Sequence, residues 1–537
     1  MGSSPQKGLF ATMVTVGERG TGTDERGLLG APGPAAAEGG PRPPGGRDAG
    51  TPAGAGRPHR PRSPRGVRRP VSPRRCTVPA RLRWFTGGCL LLTTVLGAVG
   101  LNAALGARTT WSAVTNRQAP QIVAASGLYQ ELTDLDGQAA NLLMFGDAPQ
   151  LATQRATALA QYSRDRTGAD SDLQRATLDT AGDTKVQQSL LAVLDGMGSY
   201  QDLAARAMEL DDVAHAGTGH PDPAALAEYR QATDLMRTTL LPAADQLVQA
   251  DNDAFNHSYA SERSALNAAE WWTAVLGAAL LLSLTGLQLW LALRFRRIVN
   301  PPLVAATLVT LVLVATAGTL WSDQRGYLWV ARRQAFDSVV ALTRARAVAY
   351  DANADESRYL LDQGRAAQYQ NAFQSDSMEI ASLPGATIHS YDTELAAAVA
   401  AYQQNHDDVR FGGFYGAEFK NITFGGERAA AEQALTAYQA YERDDRKIRA
   451  LVGEGRLQQA IASCVSLAPG GSNADFALHD AALQRVIAIN DQAYQAASDH
   501  GRGELRLRIP LLLGGVGVVL LLCLIGVRPR LAEFRAG

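Results

Sequence analysis

Lysine is nearly missing from this chain: of 51 Lys+Arg, only Lys7, Lys185, Lys420 and Lys447 are lysine. With abundant Ala and Gly, that bias resembles the composition of proteins from GC-rich bacterial genomes. Cysteine is equally scarce, with Cys76, Cys89, Cys464 and Cys523 scattered through 537 residues. A disulfide framework is therefore excluded, and Cys464 reads as a small buried apolar residue. The signatures of catalysis are missing too. There is no P-loop, no Gly-rich dinucleotide turn and no His-Glu-x-x-His, and no serine sits in a nucleophile elbow. The eight histidines never fall at metal-ligand spacing, the nearest approach being His215 with His220. No catalytic residue, metal ligand or cofactor is expected, and nucleic acid is not an expected partner.

Charged side chains are absent from four runs: Phe85–Ala107, Trp271–Leu293, Leu303–Trp321 and Ile509–Val527. Each is long enough to cross a hydrocarbon core of about 30 Å. The chain thus divides into a tail (1–84), a span (85–107), a long polar segment (108–270), a span (271–293), a short loop (294–302), a span (303–321), a second long segment (322–508), a span (509–527) and an end (528–537). Small residues at Ala104-Leu105-Gly106-Ala107 would suit a signal peptidase, but the long lead before them favours a retained anchor. No acidic or basic residue lies mid-span, which removes the usual marker of an ion or proton path. Small and hydroxylic residues there (Gly100, Ala104, Thr307, Thr310, Thr316, Gly514, Gly515, Gly517), with Asn102, suit close helix packing.

The tail, the short loop and the end carry a net charge near +15; against −1 for the chain, the two long segments stand near −16. By the positive-inside rule both termini and the short loop are expected in the cytoplasm and both long segments outside. All seven tryptophans lie in or near span ends, as in an aromatic belt. Residues 20–79, rich in Pro, Gly, Ala and Arg, bury too little apolar surface to order and are expected to be disordered. Arg57–Arg83 forms a basic flank suited to anionic lipid.

Within the long segments, apolar positions recur at helical spacing. Helices are expected over Ala107–Phe145, Gln150–Asp165, Asp170–Ala214 and Asp222–Leu266. In the second segment they fall over Ser322–Gln363, Ala366–Leu383, Ser390–Val409, Glu427–Val452, Arg456–Ser466 and Asn473–Arg508. Breaks fall at Gly146-Asp147, Gly168 and Gly217–Pro223. The segments are related. Arg117-Gln118-Ala119 recurs as Arg333-Gln334-Ala335, and Ala140–Met144 matches Ser357–Leu361 at nearly the same offset. Ala254-Phe255-Asn256 matches Ala493-Tyr494-Gln495, and Arg263 and Leu266 match Arg502 and Leu505. Shared order at shared distance from the membrane indicates duplication. The expected fold is an all-α integral membrane protein: four transmembrane helices, two duplicated extracytoplasmic helical bundles and a disordered tail.

One stretch lacks a counterpart. Arg410–Gly426 sets four Phe and one Tyr among five Gly in an otherwise Ala-rich segment. Phe411, Phe414, Tyr415 and Phe419 are candidate anchors for a docking partner; the competing reading is a loop folded back to cap its own bundle. Arg294, Arg296, Arg297, Arg528 and Arg530 are candidate contacts for a cytoplasmic protein.

A bundle on two continuous membrane helices resembles the four-helix-bundle sensor domains of chemoreceptors and sensor kinases. It departs from them in having only ten residues after Val527, too few for a kinase or signalling coiled coil. Two such units on four spans are more similar to actinobacterial GlnX-type membrane proteins. The resemblance covers about Trp84–Arg535 and rests on architecture. It implies a non-enzymatic relay between an extracytoplasmic glutamate/aspartate-binding lipoprotein (GlnH) and a cytoplasmic Ser/Thr kinase (PknG), in a multi-pass plasma-membrane protein contacting lipid. A structural scaffold of the envelope is the alternative.

Overall fold

The computed structural model describes residues 78–177, 184–295 and 300–533. All fourteen α-helices are built from them, and no strand forms among the described residues. Helix α1 (Val78–Ala113) runs through a π turn at Val114–Gln118 into α2 (Ala119–Phe145). Next come α3 (Ala152–Thr177), α4 (Thr184–Ala214) and α5 (Pro223–Leu235). A second π turn, Met236–Leu240, carries α5 into α6 (Leu241–Phe295). The plan then repeats: α7 (Pro301–Trp329), a π turn at Val330–Phe336 and α8 (Asp337–Leu361). After α9 (Ala366–Ile380), α10 (Tyr391–Gln404) and α11 (Gly413–Asn421) come α12 (Glu427–Gly453), α13 (Leu457–Cys464) and α14 (Ser472–Glu533). Helix and turn chemistry agree where the chain turns back in the first copy: Asp222 caps α5 by accepting from the amides of Ala224 and Ala225, and Pro223 fills N1.

Four helical stretches are long and apolar enough to cross a membrane, one each in α1, α6, α7 and α14. They pack in the cyclic order α1, α6, α7, α14. Two cross-copy contacts mirror each other: Gly97 of α1 faces Val516 of α14, and Gly277 of α6 faces Val314 of α7. Glycine admits a branched side chain there because it has no Cβ. Of the small residues singled out in the sequence, Gly515 receives Leu313 and Gly100 and Ala104 line a narrow central cavity, whereas Gly514 and Gly517 meet nothing. A polar contact that hydropathy does not reveal joins α6 to α7: Gln288 donates to Thr307 Oγ1 at 2.7 Å.

The two copies do not stand apart as separate bundles. Helices α2 and α8 lie side by side, and residues one repeat apart meet along them. Arg346 donates to Gln130, Ser357 to Asn141 at 2.8 Å, and a Cβ on Gly137 would stand 3.0 Å from that of Ala354. Parallel helices that present equivalent residues to each other are related by a pseudo-two-fold axis along their length, the geometry of an isologous dimer. One core serves both: Leu132, Leu142, Tyr200, Tyr229 and Leu247 of the first copy pack with Leu360, Tyr369, Ile448 and Ile461 of the second. Cys464 is buried in that core.

Three expectations need correction. The first helix begins at Val78, so residues 78–84 belong to it and not to the tail. No break occurs at Gly168: α3 continues to Thr177, and a Cβ at Gly168 would strike the Glu131 carboxyl across the helix pair. That glycine makes room for a neighbour rather than ending a helix. Trp111 and Trp321 are 2 % and 0 % exposed and are not part of an interfacial belt. Trp111 donates to Gln324, which donates to the carbonyl of Gly501, and Trp321 donates to Thr273. These bonds tie α1, α7, α14 and α6 together at and just beyond one end of the spans.

Candidate functional site between the two copies

The π turns at Val114–Gln118 and Val330–Phe336 carry the repeated Arg-Gln-Ala motif, so the duplication preserves a local helix defect as well as a sequence. A π turn displaces carbonyls from regular i→i−4 pairing, and such turns concentrate at functional sites. Side chains of the second copy collect the displaced groups. Tyr494 donates to the Val114 carbonyl at 3.2 Å. Asn421, the last residue of α11, donates to the carbonyls of Arg333 and Gln334 and to Ser338 Oγ at 2.9 Å. Phe336 packs between Phe255 at 4.9 Å and Tyr494 at 5.0 Å, the two aromatics that occupy equivalent positions in the repeat.

A groove of roughly 900 Å³ lies between the copies, with α6 on one side and the second-copy π turn and α8 on the other. One wall is a single face of α6: Gln249, Asn252, Asn256, Tyr259, Arg263 and Asn267. The other carries Arg332, Arg333, Asp337 and Arg344, with Phe414 at the side. Arg332 is 3 % exposed and forms the floor. It lies 4.8 Å above the Phe255 ring, donates to Asn252 and Asn256, and pairs with Asp337. Burial pulls its pKa below the usual guanidinium value, and Asp337 opposes that shift. Arg333 shares Asp337 and lies over Tyr259. Arg344 is engaged by Asp245 and Glu379 at one end of the groove.

Deeper along the same seam, the copies are joined by a buried charge network. Arg358, fully buried, bonds Asp136 of the first copy and Asp351 and Asp355 of its own. Asp136 also accepts from Tyr200 and Thr233, and Arg237 pairs with Asp355. Burial raises the Asp355 carboxyl to about 6. Asp351, Asp355 and Asp376 bring carboxylate oxygens within 4.8 Å of one another. Arg358 and Arg237 already occupy two of these three, so the cluster reads as part of an inter-copy ion network.

The aromatic stretch is placed differently from its docking expectation. Phe411, Tyr415 and Phe419 are 2 %, 1 % and 5 % exposed, and pack edge to face with one another and with Tyr402. Tyr415 also bonds His479 at 2.9 Å. Rings spent on their own core cannot anchor a partner, so the stretch caps its bundle. Phe414 alone of the four stays partly exposed, at the groove. Arg528 is exposed; only the backbone of Arg294 and Arg530 is described, and Arg296 and Arg297 lie outside the described residues. His215 pairs with Asp147 at 2.9 Å.

Sequence reasoning picked out Arg263, Arg333 and Asn256 only as markers of the repeat, and missed Arg332, Arg344 and Asn252. The available signal was the recurrence of Gln249, Asn252, Asn256 and Asn267 on one helical face, where an ordinary packing face would be apolar.

Residues 110–260 match the family model of the actinobacterial sensor domain, a stretch running from the end of the first span through the first bundle to the groove-lining face of α6. No curated protein and no solved structure matches the chain. The likeness is to a sensor-type protein of actinobacteria, and the role it supports is sensing.

Proposed function

We propose that this chain is a non-enzymatic transmembrane relay, built as a covalent pseudo-dimer. Both bundles face outward, with the termini and the 294–302 loop in the cytoplasm. An external ligand, or a ligand-loaded solute-binding lipoprotein of the glutamate/aspartate kind, biases the arrangement of the two copies. A cytoplasmic Ser/Thr kinase reads the result at Arg294, Arg296, Arg297, Arg528 and Arg530. The observation that carries this reading is the seam: equivalent residues of α2 and α8 meet along it, and both helices continue through matched π turns into spans. A change in how the copies meet therefore has a helical route to the other side. Coupling requires that the signal bind two arrangements with different affinity.

The native cysteines supply a readout. Cys89 lies eight residues from Gly97 and Cys523 seven from Val516, about two turns each, and both are buried in one intramembrane cluster. They therefore face each other between α1 and α14. Phosphorylation of kinase substrates is compared in cells with and without the gene, with and without external acidic amino acids, alongside oxidative cross-linking of Cys89 to Cys523. A response that depends on the gene, with a changed cross-linking rate, is expected. An identical response in the deletion strain sinks the relay and leaves a scaffold.

A further inference from the structure

We infer that the inter-copy groove is a binding site for one small anionic ligand bearing carboxylate or phosphate groups. The case begins with a charge imbalance. Four guanidinium groups line the groove (Arg263, Arg332, Arg333 and Arg344) against one carboxylate, Asp337. Arg344 is neutralised by Asp245 and Glu379. Arg332 and Arg333 must share Asp337. Arg263 is exposed and has neither a hydrogen bond nor an ion pair among the described residues. Two guanidinium groups are thus left without a carboxylate of their own in a concave space, and with the second carboxylate at Arg344 counted the groove carries a net positive charge of one.

The polar part of the remaining lining suits an oxyanion. Gln249, Asn252, Asn256 and Asn267 present carboxamides, which can donate to carboxylate or phosphate oxygens without adding charge. Guanidinium donors in a fixed fork match those oxygens in pairs. Asn252 and Asn256 hold the Arg332 fork in place from the α6 side, so the floor is organised before a ligand arrives. Tyr259 and Phe414 supply apolar contact at the sides. Because α6 belongs to one copy and Arg332, Arg333 and Phe414 to the other, an anion bridging Arg263 to Arg333 would draw the copies together. That consequence rests on the relay reading; the binding itself does not. From Val248 to Asn267 the α6 wall spans roughly 28 Å, and Asn267 lies one turn from the Trp271 end of the span. The same chemistry could therefore arrive on a soluble molecule or on a lipid headgroup.

The test uses the full chain in lipid nanodiscs and isothermal titration with succinate, L-glutamate, citrate and inorganic phosphate, with L-glutamine and spermidine as controls. Binding of at least one anion at one site per chain is expected, weakening with salt. Arg263→Ala and Arg333→Ala should each lower affinity about tenfold or more, as expected for losing a charged hydrogen bond. Arg263 makes no hydrogen bond or ion pair among the described residues, so that variant remains interpretable, and an unshifted thermal melt verifies it. Phosphatidylcholine discs are compared with discs containing phosphatidylglycerol. Competition by the anionic lipid that Arg263→Ala abolishes assigns the site to a headgroup, whereas equal affinities assign it to a soluble anion. Absence of binding by every anion, or affinity indifferent to both substitutions, overturns the site. Binding that leaves Cys89–Cys523 cross-linking unchanged retains the site and removes its link to the relay.

Discussion

Arg358→Met, at the centre of the seam, removes one partner of a fully buried ion network. The lost groups can be counted from the geometry. Arg358 donates to Asp136 through Nε at 2.9 Å, with Nη2 2.8 Å from the same carboxylate, and through Nη1 to Asp351 at 3.0 Å and Asp355 at 2.5 Å. All its charge lies at 0 % exposure. With Arg358 gone, Asp136 retains Tyr200, Tyr229 and Thr233 as donors, but its charge has no counter-ion. Asp355 retains only Arg237. Breaking a buried pair by removing one member costs about 3–5 kcal/mol, because the other charge is stranded. For a domain of this size each kcal/mol moves the melting temperature by roughly 2–4 °C. A fall of roughly 6–20 °C is therefore expected, read by circular dichroism on the solubilised full chain.

The double variant Asp136→Leu/Arg358→Met discriminates the mechanism. Replacing both ends of a buried pair by apolar groups is often neutral, so much of the loss should return, and the cycle should show a coupling of a few kcal/mol between residues of different copies. A single variant costing less than about 1 kcal/mol, or a double variant whose cost is the plain sum, would refute the claim that the copies are joined through this network.

Gly501→Ala places a methyl 2.6 Å from the Trp111 indole; the ring must move off Gln324, and an altered tryptophan emission spectrum with a lower melting temperature is expected. Phe411→Ala and Tyr415→Ala should each cost about 3–5 kcal/mol, since both rings are core, and partner capture lost without any loss of stability would contradict that placement. Burial raises Asp165 to about 9 and Glu131 to about 7, with Asp134 adding to the Asp165 shift. These carboxyls hold protons when folded that the unfolded chain releases near pH 4, so stability falls as pH rises from about 4 to 9. Asp165→Asn should flatten that slope and raise the melting temperature at pH 8; a melt independent of pH in wild type would dispose of the argument.

The apolar runs, the charge bias and the order of repeat matches were legible because each is a property of the chain alone. Hydropathy finds a span whatever its partners, and Arg117-Gln118-Ala119 matches Arg333-Gln334-Ala335 without knowledge of contacts. What stayed hidden depends on pairs far apart in sequence. Asp136 and Arg358 read as ordinary polar positions on helices until α2 and α8 are brought together. Gly168 reads as a break, and its role of making room for Glu131 shows only when the opposite helix is in place. Trp111 and Trp321 sit where belt tryptophans sit, and the polar atoms that draw them inward, on Gln324 and Thr273, belong to other helices. The Gly/aromatic stretch was singled out correctly as peculiar to one copy, but composition could not decide between docking and capping. Burial of Phe411, Tyr415 and Phe419 decides it.

That insertion also explains why the copies differ in more than length. At the first π turn the displaced carbonyl of Val114 is taken by Tyr494, a residue of α14 itself. At the second, α6, which stands where α14 stands at the first, offers no such donor, and the carbonyls of Arg333 and Gln334 are taken by Asn421, which the Gly/aromatic stretch delivers on α11. At Tyr494's place in the repeat the first copy has Phe255, which has no hydroxyl to donate and instead stacks on Phe336 beneath the Arg332 guanidinium. Substituting one hydroxyl by a bare ring thus leaves the second turn open on its α6 side, and the groove lies there. A pseudo-symmetric pair would close both turns in the same way and present two equal faces. Here one turn is sealed by its partner helix and the other by an added helix from behind, so the wall facing α6 is left to arginines and amides. The asymmetry leaves the two copies with unequal faces, and the groove lies on the open one.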